Sequence, residues 1–287
     1  MKQVAVITGG GSGMGLEAAR CMPKEKVLVL SGRTVAKLQK ASDLLKREGH
    51  EVYGFACDVS KIEDVKALAE YADSLGTITN VIHAAGVSPS MADAEKVIRI
   101  NALGTIHVNK VFAKYMPEHS VIVDVSSNSA YVLPSFASKL LCSDKVIMKA
   151  LQDEEGFVRR MVRISYLGGS KYNQTGLAYT LSKYFVCRFA QYCAFAYGQK
   201  GIRVASLSPG LISTKMGNLE QEHGKKEIER AAEHRMGTPA ELGFAIASLA
   251  DERNGYLAGV DVLADGGSIT GKGIKNQKAL DLILANE

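Results

Sequence analysis

Several things are scarce or missing in this chain. It has five cysteines, Cys21, Cys57, Cys142, Cys187 and Cys193, an odd number with no CxxC pair among them. That excludes a disulfide framework and argues against a zinc site, so the thiols are expected to be small buried hydrophobes. No histidine, cysteine and acid cluster suggests a metal, and none is expected. No apolar run approaches the ~18 residues that cross a bilayer. The opening stretch Met1–Thr8 is too short in its apolar part for an export signal, which makes the cytoplasm the expected compartment. No basic cluster is interleaved with aromatics, so neither nucleic acid nor a membrane is an expected partner. A Pro/Ser-rich linker, an internal repeat and a low-complexity tract are all absent.

What remains is the composition of an ordinary soluble globular protein, 46% hydrophobic and 23% charged over 287 residues. At ~150 residues per domain two domains would be the first guess, but α/β folds of this length are often one. The net charge is +5, with lysines, arginines and acids mixed along the chain as on solvated helix faces. Short β-branched runs alternate with longer helical patterns. Strands are expected at Val4–Thr8, Val27–Leu30, Val52–Ala56, Ile78–Ile82, Val121–Val125, Ile202–Leu207 and Val260–Leu263. Helices are expected from Gly13 to Met22, from Thr34 to Glu48, and from a capping box at Ser60–Glu63 to about Leu75. Strands alternating with helices make βαβ units, and these build a parallel sheet covered on both faces. One domain over 1–287 is expected.

The first strand runs into Thr8-Gly9-Gly10-Gly11-Ser12-Gly13-Met14-Gly15, which opens the first helix. Glycines let backbone approach a ligand closely, and a helix N-terminus offers free N–H groups to a diphosphate. The strand–glycine–helix context is the one a dinucleotide site requires. The spacing is TGxxxGxG, which resembles the short-chain dehydrogenase/reductase family. That resemblance implies a Rossmann-like, doubly wound, three-layer α/β/α fold. A site for NAD would set an acid at the end of the second strand. Here Ser31-Gly32-Arg33 stands instead, with Gly32 in the acidic position. A guanidinium suits a 2′-phosphate by charge and by its forked donors, and Ser31 adds a hydroxyl. NADP(H) is therefore favoured over NAD(H).

Tyr179-Thr180-Leu181-Ser182-Lys183 is the only tyrosine in the chain with lysine four residues on, and i, i+4 share a helix face. An ammonium beside a phenol favours the phenolate, so Tyr179 can exchange a proton near neutral pH. The resemblance continues through the chain, over about residues 3–267. It implies that Ser127 orients the substrate oxygen, with Ser126 as the alternative, and that Asn101 holds a water linking Lys183 to solvent. It also implies that Asp58 and Val59 meet the adenine and that Ala84, Ala85 and Gly86 pass close to the ribose. Pro209, Gly210, Ile212 and Thr214 would flank the nicotinamide. His83 stands where the family has asparagine and is expected to be a packed residue without chemistry.

Fifty-two positions separate Ser127 from Tyr179, more than the family usually has. A structureless loop of that length is unusual in a compact domain. A helical insertion is expected within about 134–176, with short amphipathic helices at Ser138–Leu141 and Lys145–Leu151. It would lie beside the active-site mouth and shape the pocket or the subunit contacts; the alternative is a surface elaboration without a role. Leu211–Met236 holds the position of a loop that closes over substrate. The tail, 268–287, ends in the apolar Leu280–Leu284, expected to dock on its own subunit or a neighbour.

The expected function is NADP(H)-dependent interconversion of a secondary alcohol and a ketone. The alternatives are reduction of a 3-oxoacyl thioester and a non-catalytic NADP(H)-binding sensor or scaffold. The partners expected are a small-molecule alcohol or carbonyl compound and further copies of the chain, as a homodimer or homotetramer.

Overall fold

All seven β-branched runs become strands: β1 Gln3–Thr8, β2 Val27–Gly32, β3 Glu51–Ala56, β4 Thr77–His83, β5 Val121–Val125, β6 Arg203–Pro209 and β7 Asp261–Ala264. The computed structural model describes residues 1–133, 143–274 and 276–284, the side chains of 221–223, 277, 282 and 284 excepted. The strands pair in parallel in the order β3-β2-β1-β4-β5-β6-β7. The order reverses between β1 and β4, and a crevice opens there beyond the carboxyl ends of the strands.

Alternate residues of each strand feed two separate cores. Val6, Val29, Val81, Ile122 and Val204 face α3 (Ile62–Leu75), α5 (Gly104–Phe112) and α8 (Lys171–Gly198). Ile7, Leu28, Leu30, Val123 and Leu207 face α1 (Gly13–Cys21), α2 (Val35–Arg47) and α10 (Pro239–Leu249). The result is the doubly wound, three-layer α/β/α architecture, with apolar side chains on both faces of a parallel sheet.

The capping box expected at Ser60 does not form. α3 begins at Ile62 with Lys61 as N-cap, and Ser60 turns back to Asp58, its hydroxyl donating to Oδ1 at 2.7 Å. Asp64 takes the Asp58 N–H instead, at 2.9 Å. Cys57, Cys187 and Cys193 are buried as expected, but Cys21 is exposed at the end of α1. Cys142 and Ser138–Leu141 lie outside the described residues.

The described part of the insertion forms α6 (Asp144–Gln152) and α7 (Glu154–Ser165). α7 packs against α8 and against the short α4 (Ala94–Ile98). Phe157 is fully buried, its ring 4.8 Å from that of Phe185 on α8. Arg99 clamps the outside, bonding Glu95 at 2.8 Å and Glu155 at 2.7 and 2.8 Å. Beyond β6 come α9 (Lys215–Arg230) and, after β7, α11 (Ser268–Gly273) and α12 (Gln277–Leu284). On α12 Ile283 stays 73% exposed, so the described tail does not bury it against its own chain.

Candidate active site

Two cavities open along the crevice at the carboxyl edge of the sheet. The first, about 410 Å³, runs from the glycine loop to the ends of β2 and β3. The loop has the shape a diphosphate needs. Gly9 holds φ +70°, and a Cβ there would meet the Ala84 carbonyl oxygen at 2.7 Å, so only glycine lets the loop lie against the end of β4. Ser12 caps α1 without spending its side chain on the first turn. Gly11, Gly13, Met14 and Gly15 line the cavity with it, across from Thr214.

At the far end the same cavity is lined by Ser31, Gly32 and Arg33. Arg33 is exposed, and the Ser31 hydroxyl is buried with no hydrogen-bond partner. A buried hydroxyl left unpaired is costly unless a ligand completes it. Thr34 and Lys37 stand on this rim too. The sequence reading missed both, although Lys37 lies one helical turn past Arg33. Asp58, Val59, Ala84, Ala85 and Gly86 form the opposite wall. An anionic, phosphate-rich dinucleotide fits this set: glycine backbone in the middle, cations and an unpaired hydroxyl at one end.

The second cavity, about 260 Å³, shares Met14, Gly86 and Thr214 with the first and is lined by Ser127, Tyr179 and Lys183. The side chains meet from two elements, the end of β5 and α8. Ser126 and Ser127 follow β5, and their hydroxyls part company. Ser126 Oγ donates to the Lys183 carbonyl at 2.7 Å. Ser127 Oγ lies on the cavity wall with Tyr179, accepting the Ser129 N–H at 3.2 Å and donating weakly to Asn128 Oδ1 at 3.5 Å. The Ser126 alternative is thus spent on the backbone of α8. Lys183 is 6% exposed; its ammonium donates to the Val125 carbonyl at 2.9 Å and lies 5.9 Å from the centre of the Tyr179 ring.

Asn101 sits in a π-helical turn, Arg99–Leu103, that links α4 to α5. Such turns often mark functional positions inside helices. Its side chain clasps Val87, accepting from the N–H at 2.9 Å and donating to the carbonyl at 3.0 Å. A Cβ on Gly86 would stand 3.2 Å from Asn101 Oδ1 and 3.4 Å from Lys183 Nζ, so the bare backbone leaves these two groups their room.

Beneath the cavity lies a feature no motif announced. The rung Val29, Val6, Val81, Ile122 and Val204 is wholly apolar. Two residues further along each strand, on the same face, stands the rung Ser31, Thr8, His83, Asp124 and Ser206. His83 Nδ1 shares a hydrogen bond with Thr8 Oγ1 at 2.8 Å, and its Nε2 is buried without a partner. It is packed as expected, but only half satisfied. Both Asp124 carboxylate oxygens accept from Asn109 Nδ2 at 3.0 Å. The sequence signal for Asp124 was a lone carboxylate in the apolar strand Val121–Val125.

The electrostatics follow from this burial. Burial pushes the Asp124 carboxyl up to about 7, against the Asn109 hydrogen bond and the nearby Lys183 charge. Burial pulls Lys183 down to about 8, with Cys187 and Asp124 opposing. His83 falls to about 3 through burial and the Lys183 charge, so its imidazole is neutral. Tyr179 is raised, first by burial and further by Glu220 and Glu227, while the neighbouring Ser127 hydroxyl works the other way. The expected influence of Lys183 on Tyr179 is not among these causes. The ammonium is turned to Val125 and has itself lost much of its affinity for a proton.

Pro209, Gly210 and Ile212 line the second cavity, and Thr214 Oγ1 caps α9 by accepting the Gly217 N–H at 2.9 Å. α9 covers the mouth within the expected 211–236 segment. Glu220 and Glu227, which it contributes to the lining, were not singled out from sequence. None of the described insertion residues lines either cavity, because their apolar faces are spent on α4 and α8.

Comparison with known proteins agrees with this geometry. A sequence family described as short chain dehydrogenase matches residues 3–154, and one described as enoyl-(acyl carrier protein) reductase matches residues 134–268. A short-chain dehydrogenase/reductase of Alternaria brassicicola is 28% identical over 281 residues, 94% of this chain and 97% of that protein. Among solved structures, a dehydrogenase/reductase from Sinorhizobium meliloti superposes with a TM-score of 0.73 at 19% identity, over 93% of this chain and 94% of that one. An actinorhodin polyketide ketoreductase variant solved with NADPH gives 0.72 at 20% identity, over 93% and 97%. These two likenesses are of fold.

Proposed function

The chain belongs to the short-chain dehydrogenase/reductase family, and on that premise we propose that it is an NADP(H)-dependent oxidoreductase interconverting a secondary alcohol and a ketone. One convergence carries the proposal: Ser127, Tyr179 and Lys183 meet on a cavity continuous with the glycine-loop groove. When bound, the dinucleotide accepts or supplies a hydride at its nicotinamide ring.

The chain's own residues do the rest. The glycine loop and the first turn of α1 bind the diphosphate, and Arg33 with Ser31 takes the 2′-phosphate. Asp58 and Val59 would hold the adenine, and Ala84, Ala85 and Gly86 the ribose. Pro209, Gly210, Ile212 and Thr214 would hold the nicotinamide. Ser127 donates a hydrogen bond to the substrate oxygen, where negative charge grows as a ketone is reduced. Tyr179 gives its phenolic proton to that oxygen, or takes it back when an alcohol is oxidised. Lys183 supplies positive charge beneath the phenol. Asn101, beside Lys183, supports the path by which the proton is restored from solvent.

A raised Tyr179 favours ketone reduction near neutral pH, since the phenol is then the protonated donor. The same proposal takes 1–287 as a single dinucleotide-binding domain of the cytoplasm that assembles as a homodimer or homotetramer. The ketoreductase of similar fold solved with NADPH agrees with the choice of cofactor.

The test is oxidation of NADPH and NADH against a panel of ketones, with Tyr179→Phe as control. Turnover with NADPH should fall by about 10²–10⁴ in the variant, with cofactor binding intact. Equal turnover in the variant refutes the assignment of Tyr179. Tight NADPH binding with no turnover on any carbonyl compound favours the sensor or scaffold.

A further inference from the structure

The cavity around Tyr179 carries an unusual charge pattern. Among the described residues its charged lining is Lys183, Glu220 and Glu227. Lys183 is buried and committed to the Val125 carbonyl. The two glutamates are seven residues apart on α9, two helical turns, and so stand on one face of it. Each is pinned at one oxygen. Glu227 Oε1 accepts from Asn128 Nδ2 at 2.5 Å, and Glu220 Oε1 accepts the Ser90 N–H at 3.0 Å. These bonds tie α9 to both walls of the mouth and hold two carboxylates over the space a substrate must fill.

Two hydroxyls add to the pattern. Ser88 and Ser129 line the same cavity, and their Oγ atoms are buried with no hydrogen-bond partner among the described residues. A buried hydroxyl left unpaired is costly, and a donor or acceptor on a substrate would relieve that cost. A carboxylate can only accept hydrogen bonds, and it repels another anion strongly in a cavity screened from water.

We infer that this pocket selects carbonyl compounds whose far end bears hydrogen-bond donors, hydroxyl or ammonium, and rejects those ending in a carboxylate or phosphate. The inference rests on the oxidoreductase proposal for its carbonyl end only; the charge selection stands on Glu220, Glu227, Ser88 and Ser129. It also weighs against a 3-oxoacyl thioester whose carrier arm brings phosphate to the mouth.

Three ring ketones of equal length test it: 4-(hydroxymethyl)cyclohexanone, 4-(aminomethyl)cyclohexanone and 4-oxocyclohexanecarboxylate. Each is measured by kcat/KM with NADPH as the hydride donor, and by calorimetric binding to the protein loaded with oxidised NADP, where no turnover occurs. The wild type should favour the hydroxymethyl and aminomethyl compounds over the carboxylate at least tenfold in both. Glu220→Gln/Glu227→Gln keeps an acceptor oxygen for Asn128 and Ser90, so α9 stays tied. It should raise the carboxylate at least tenfold, weaken the ammonium compound, and shift the onset of alcohol oxidation to lower pH, as Tyr179 loses two nearby negative charges. Equal behaviour of the three ketones, preference for the carboxylate, or a ratio unchanged in the double variant overturns the inference. If the binding order holds and neither these ketones nor any of the wider panel is turned over, the selectivity stands and the oxidoreductase proposal falls; turnover in the reverse order has the opposite meaning.

Discussion

Asp124→Asn should make the protein more stable in alkaline solution, although it removes a charge that sits near an ammonium. The carboxyl is fully buried on β5, and burial raises it from an ordinary 3.8 to about 7. Between these values the unfolded chain has released the proton and the folded chain still holds it. The folded state therefore binds more protons, and stability falls as pH rises through this window. Three units at ~1.36 kcal/mol each give a cost of about 4 kcal/mol, fully present above pH 7. Asparagine has the same shape and no charge. Its amide oxygen keeps an acceptor for Asn109 Nδ2. Lys183 titrates at about 8, so at pH 9 it is mostly neutral and loses little when Asp124 is gone. Urea unfolding followed by circular dichroism at matched protein concentration reads the difference. The variant should gain up to about 4 kcal/mol at pH 9, and the gain should shrink toward zero near pH 4. A variant no more stable than the wild type at pH 9, or a gap that ignores pH, refutes the reasoning.

Arg33→Ala should raise the KM for NADPH about 10- to 100-fold, the worth of a charge-assisted hydrogen bond of roughly 1.5–3 kcal/mol, and leave that for NADH nearly unchanged. Parallel changes for both cofactors would remove Arg33 from the 2′-phosphate. Phe157→Ala empties a fully buried site against Phe185 and should cost about 3–5 kcal/mol, a fall of roughly 10 °C in Tm. A Tm within a degree or two of the wild type would mean that the insertion is only loosely joined to α8.

The parts of this molecule that could be read from sequence are those with a local cause. A strand of the sheet needs only a β-branched run, and a glycine loop needs only its glycines, so the seven strands and the phosphate cradle were legible. Tyr179 and Lys183 share a helix face by spacing alone. The choice between Ser126 and Ser127 was not local. It depends on which hydroxyl meets the carbonyl of Lys183, fifty-odd residues away. Glu220 and Glu227 looked like charges on a solvated helix, and only the packing of α9 over the mouth turns that face inward. The Ser60 box failed for a similar reason, since Asp58 lay close enough to take the hydroxyl first.

Asp124 joins the fold to the chemistry. Across the sheet the rung Val29–Val6–Val81–Ile122–Val204 is purely apolar, and the next on the same face is Ser31–Thr8–His83–Asp124–Ser206. A sheet built for stability alone would continue the apolar face, because each buried polar group must be paired or costs free energy. Here several are left short: Ser31 Oγ, His83 Nε2 and Asn109 Oδ1 have no partner, and two ionisable groups are held away from their ordinary pKa values. These departures gather under Lys183 and along the dinucleotide groove, where the two cores end. Proteins break local rules where a site demands it and make up the loss elsewhere. The two apolar clusters below provide that reserve. If so, hydrophobic replacements along the polar rung should stabilise the chain and weaken turnover, whereas the same replacements one rung lower would find nothing to replace.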